Sequence, residues 1–88
     1  MIQEFEALSR LNEDRIRKYP DQFLFEYAKR DIEKIREVLA GGGMFTMEFY
    51  ERLNIGVMCA RELEAVDPEY CNTVYAMLEK VRLEANGH

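Results

Sequence analysis

Few side chains in this sequence could do covalent chemistry, and their spacing decides against most of it. Cys59 and Cys71 are the two thiols, Ser9 is the single serine, and the single histidine is the last residue, His88. Nucleophilic catalysis by serine or cysteine needs a general base beside the nucleophile, and a histidine at the end of the chain is not placed to serve either. Zinc asks for about four cysteine, histidine or carboxylate ligands in fixed geometry, and two cysteines twelve residues apart do not supply them. They form no C-x-x-C pair and are expected as free, half-buried thiols. A carboxylate-bridged metal pair would need a Glu-x-x-His element, which is missing. The run Gly41-Gly42-Gly43 is not G-x-G-x-x-G, is followed by no Lys-Ser/Thr and is preceded by no strand pattern, so phosphate cradling lacks its context. Among the plentiful carboxylates only Asp31 lies at the edge of an apolar sector, where it is expected to pair with Lys34 three residues on. The chain is therefore expected to be no enzyme and to carry no cofactor and no metal.

The elements that would carry these residues are helical. Apolar residues at Ile2, Phe5, Leu8, Ile16 and Tyr19 recur every three or four positions and predict a helix over 2–19, with Arg15, Arg17 and Lys18 at the end that the helix dipole favours for cations. Pro20 stops it, and a second helix over 21–40 follows with the cleanest amphipathic pattern in the chain. The three glycines end that helix. Thr46 is an N-cap type for a third helix over 46–66, and Asp67-Pro68-Glu69 announces a fourth over 68–85, with an acid at the cap and proline in the first turn. Period-2 alternation is absent. The expected fold is all-α, a small bundle of about four helices with short connections, forming one domain over residues 1–88. His88 is expected as a terminal tail.

Charge narrows the partners. The net charge is −5, and it is uneven: residues 1–45 hold nine acids and eight bases, 46–88 eight acids and four bases. An acidic second half disfavours a phosphate-tracking surface, so nucleic acid is not the expected partner. Apolar runs are too short for a membrane span, for which about 20 residues are needed. The N-terminus MIQEFEALSR is acidic where a signal peptide would be basic, and a cytoplasmic location is expected.

The stretch 46–66 is expected to be the central helix, because it carries two apolar stripes. Phe49, Leu53, Val57, Ala60 and Leu63 are assigned to the core, and Ile55, Met58 and Cys59 to a partner. Phe23 and Leu83 fall off the apolar sectors of their own helices and join the partner-binding set. Gly56, inside the first stripe, predicts a close helix crossing or a break. A domain of this size buries only about 60 to 65% of its unfolded surface, so pairing would add stability, and a homodimer is expected. The resulting reading is a small acidic interaction or regulatory protein that acts by protein–protein binding. Proteins of this kind are common among phage and mobile-element accessory and inhibitor proteins. As an alternative, FYERLNIG resembles the first-helix end and turn of a helix-turn-helix, with Leu53, Ile55 and Leu63 at apolar positions. The resemblance implies a DNA-binding transcriptional regulator using residues 46–66. Tyr50 stands where that motif takes alanine, Asn54 where it takes glycine, and Glu62 and Glu64 would face DNA.

Overall fold

The computed structural model describes residues 1–87; His88, expected as a tail, lies outside the described residues. The all-α fold is observed, with no strand among the described residues. Its elements are α1 (Ile2–Lys18), α2 (Leu24–Ala40), α3 (Met47–Glu51), α4 (Ile55–Met58), a π-helical turn (Cys59–Leu63) and α5 (Pro68–Asn86).

Local chemistry accounts for the ends. The Tyr19 carbonyl accepts the Gln22 amide at 3.0 Å, closing a turn with Pro20 at its second position, so α2 starts at Leu24 rather than at 21. At the end of α2 the Gly43 amide donates to Val38 and the Gly42 amide to Leu39, a Schellman pattern in which Gly42 takes φ +66°. The Thr46 hydroxyl accepts the Phe49 amide at 3.0 Å, and the Asp67 carboxylate accepts the Tyr70 amide at 3.2 Å. Both capping expectations match these bonds.

The third expected helix is broken. Leu53 and Asn54 are not helical, α4 is only four residues long, and the chain then widens into the π turn, in which the Glu64 amide donates to the Cys59 carbonyl at 2.8 Å. The break and the wider turn both rotate later side chains relative to a continuous α-helix. The wheel drawn for 46–66 therefore loses phase after Arg52. Gly56 sits against α5, where a Cβ would lie 2.8 Å from Leu78 Cδ1. It marks a close crossing, and the break precedes it.

The element at the centre is α5, not 46–66. It packs against α1, α3, α4 and the π turn, and buries Tyr70, Cys71, Val74, Met77 and Val81 completely. α1 lies between α2 and α5 and runs antiparallel to both. Its Asn12 reaches the Phe25 carbonyl near the start of α2, whereas Ser9 meets Arg36 near the end. Its Arg15 meets Asp67 and Glu69 at the start of α5. Buried polar groups tie these three helices together. The Tyr70 hydroxyl donates to Asn12 Oδ1 at 2.6 Å, and Asn12 Nδ2 donates to the Phe25 carbonyl at 3.1 Å. No helix among the described residues is long and apolar enough to cross a membrane.

Candidate functional site

One carboxylate sets the position of α4. Asp31, buried on α2, accepts the Asn54 amide at 2.6 Å and the Ile55 amide at 2.9 Å through Oδ2. Its other oxygen lies 3.6 Å from Lys34 Nζ. The Lys34 pair was expected; the larger role was not. Asn54 makes no side-chain cap of its own, so the first turn of α4 is capped from another helix.

This anchoring decides which residues of 46–66 face outward. Ile55, Met58 and Cys59 are 1%, 8% and 0% exposed and belong to the protein's own core, so the partner-facing assignment of these three is corrected. The core assignment of Val57 and Ala60 is corrected with it, since both lie exposed. The cause is the lost phase described above: the side chains after the break turn over. The same burial removes Met58 and Cys59 from any surface that could read DNA.

Phe23 and Leu83 are exposed, at 74% and 52%. They do not share a face. Phe23 immediately precedes α2, and the neighbouring Phe25 ring packs edge-on against Tyr70 at 5.0 Å, which places this end of α2 beside the start of α5. Leu83 is thirteen residues further along α5 than Tyr70, about 20 Å away at 1.5 Å per residue.

Around Phe23 the surface is apolar and concave. Phe23 just before α2, Tyr27 of α2 and Val57 of α4 border a cleft of about 400 Å³, with Leu24 and Met58 in its lining and Arg61 and Glu62 at its edge. Tyr27 and Val57 are each half exposed, and the Arg30 guanidinium lies 5.6 Å from the Tyr27 ring centroid. Sequence reasoning missed Val57, which was assigned to the core, and Tyr27, which falls at the edge of the apolar sector of α2. Tyrosine at the edge of such a sector was the available signal, because its polar tip is compatible with solvent.

Val57 also borders a second cleft, of about 490 Å³, between α4 and α5. Tyr50 and Tyr75 line it, with Gly56 and Ala60 between them and Glu51 and Glu79 at the edge. The Tyr75 hydroxyl donates to Glu64 at 2.8 Å, and burial together with that carboxylate pushes its pKa up to about 12.

The end of α1 is held to the start of α5 by charge. Arg15, 8% exposed, donates to Asp67 at 2.7 and 3.3 Å, to Glu69 at 2.7 Å and to Asp14 at 2.7 Å. The Arg15 hydrogen bond lowers the Asp67 pKa against the opposing effect of burial, and the Tyr70 amide assists.

Reactive chemistry finds little footing. Both thiols are free and buried; Cys71 Sγ donates to the Cys59 carbonyl at 3.7 Å. Burial, then the neighbouring Cys71, pushes the Cys59 thiol up, which disfavours the nucleophilic thiolate. No group of three histidine, cysteine or acidic residues among the described residues could hold a metal ion.

What the surface offers is an exposed apolar cleft around Phe23, Tyr27 and Val57. The Tsi6 family model matches residues 1–81. No curated protein and no solved structure matches.

Proposed function

Because the chain belongs to the Tsi6 family, we propose that it is an immunity protein of type VI secretion, which binds a toxin protein and blocks it. Tsi6 is a family of type VI secretion immunity proteins, protein–protein inhibitors that bind a partner toxin. The observation that carries the reading is the family match, which spans residues 1–81 of the 88.

The structure adds a surface suited to the task. Phe23, Tyr27 and Val57 form an exposed apolar face on elements that buried polar contacts hold in place, and aromatic anchors on a rigid support are what tight interfaces use. In this reading the toxin docks across that face, and inhibition comes from occlusion rather than chemistry. Leu83, at the far end of α5, stands outside it. The reading implies a cytoplasmic location, where unpaired thiols such as Cys59 and Cys71 persist. Self-pairing through the same face would compete with the toxin, so a homodimer would dissociate as toxin is added, a change that light scattering reads directly.

Genetic competition tests the proposal whatever the toxin's identity. A source strain lacking this gene should be killed in contact with its parent and should survive a parent whose type VI apparatus is inactivated. Survival beside the fully active parent would overturn the reading.

A further inference from the structure

The cleft around Phe23 has two walls from different parts of the chain, and its shape depends on what sets them apart. Phe23, just before α2, stands with Leu24 and Tyr27 of α2 on one side; Asn54, just before α4, stands with Val57 and Met58 of α4 on the other. The first wall belongs to a helix of 17 residues. The second belongs to a helix of four, too short to hold its own conformation, because ordering a first turn costs more than its few hydrogen bonds return. Its place has to come from contacts outside it.

Three contacts supply that place. On α2, Leu24, Tyr27 and Asp31 fall three or four residues apart on one side of the helix, so the cleft wall leads to the buried Asp31 carboxylate. Oδ2 of that carboxylate accepts the amides of Asn54 and Ile55, at the start of α4. Gly56 lies against α5, where a Cβ would stand 2.8 Å from Leu78 Cδ1. Beyond Met58 the π turn is closed by the Glu64 amide on the Cys59 carbonyl. Of the three, the Asp31 bonds are the ones that join α4 to the opposite wall of the cleft.

We propose that Asp31 is a positioning residue for the bound protein, one that fixes the separation of the two walls through the Asn54 and Ile55 amides without touching the partner itself. The inference rests on the toxin-binding reading and names the residue that shapes its face. Because the carboxylate is buried, a partner docked on the surface meets Phe23 and Val57 and not Asp31. Without that acceptor the amides at the start of α4 have to reach water. Reaching it turns the start of α4 away from α2 and carries Val57 off the face that it shares with Phe23 and Tyr27. A partner shaped to the intact cleft then loses the fit of one wall, although every residue it touches is still present. Interface cores are packed as densely as protein interiors and tolerate such a shift poorly.

Two readouts test this. In the full chain, Asp31→Ala should speed amide hydrogen exchange about ten-fold or more at Met58 and Cys59, whose amides bond back to Asn54, Ile55 and Gly56, relative to Val74 and Met77 of α5. In the deletion strain beside the type VI-active parent, Asp31→Ala should fail to protect, and Asp31→Asn, which keeps an acceptor oxygen, should restore protection. Tyr70→Phe or Val74→Ala, whichever matches the urea midpoint of Asp31→Ala, should protect at equal abundance, since neither residue lines the cleft. Lys34→Met, which removes the other partner of Asp31 and leaves the amides bonded, should protect as well. Protection by Asp31→Ala, or exchange at Met58 that rises no more than at Val74, would overturn the inference. Loss of protection by the matched control would overturn it too, because stability alone would then account for the effect. Those outcomes leave the toxin-binding reading standing, whereas failure of the native gene to protect would overturn that reading and the inference with it.

Discussion

Replacing Asp31 with alanine is the perturbation whose consequence can be worked furthest. Its Oδ2 is the acceptor for two backbone amides, Asn54 at 2.6 Å and Ile55 at 2.9 Å, and the residue is 5% exposed. Removing the carboxylate leaves both amides without that acceptor, the Ile55 amide buried and the Asn54 amide part-buried. An orphaned buried donor costs about 1 to 3 kcal/mol and a part-buried one less, so the two together cost about 3 kcal/mol. The Lys34 pair, at 3.6 Å with an exposed lysine, adds less than about 0.5 kcal/mol. The amides decide the outcome. A domain of this length is stable by about 5 to 10 kcal/mol, so Asp31→Ala should remove a third or more of the total. With a urea slope near 1 kcal/mol per molar, the midpoint followed by circular dichroism should fall by about 3 M. Asp31→Asn keeps an acceptor oxygen and should cost less than half as much, and Lys34→Met should be nearly silent. A loss under about 1 kcal/mol for Asp31→Ala would refute the claim that α4 is capped from α2.

Three further outcomes follow from the same reasoning. Tyr70→Phe removes the 2.6 Å hydrogen bond to buried Asn12 and leaves its Oδ1 unpaired, which should cost about 1 to 3 kcal/mol in urea unfolding, with strong coupling to Asn12→Leu in a double-mutant cycle. Asp67 has a pKa lowered below its ordinary 3.8, so its contribution is fully present above that value and is lost as pH falls through the lower folded value. Urea midpoints at about pH 6 and about pH 3 should therefore drop further for the native chain than for Asp67→Asn. Gly42→Ala forces a Cβ into φ +66° and should cost about 1 kcal/mol or slightly more, whereas Gly43→Ala, which needs no positive φ, should change the thermal midpoint little.

The patterning of the sequence was enough for the fold class and for the three long helices, because their apolar periodicity runs unbroken for several turns. Caps at Thr46 and Asp67 were legible because a cap is local: the acceptor and the amide lie three residues apart. The surface of 46–66 was not. Its direction depends on a two-residue break at Leu53–Asn54, on a π turn, and on a carboxylate twenty-three residues upstream in the chain. No wheel contains that information. Asp31 drew notice as an acid at the edge of an apolar sector, but the local partner Lys34 was the visible one, and the distant amides of Asn54 and Ile55 were not. Phe23 was legible as an outlier from its helix face, whereas Tyr27 and Val57 become surface residues only once α4 has been set against α2.

The central claim is that the Phe23–Tyr27–Val57 face makes this protein protective. Phe23 is 74% exposed and Val57 54%, so Phe23→Asp with Val57→Glu should leave the fold intact, with stability altered by no more than about 1 kcal/mol. The direct measurement is survival of the deletion strain, carrying either the native gene or this double variant, beside a type VI-active parent. The account predicts full rescue by the native gene and loss of rescue by a variant that is folded and equally abundant. Full rescue by that variant would contradict it.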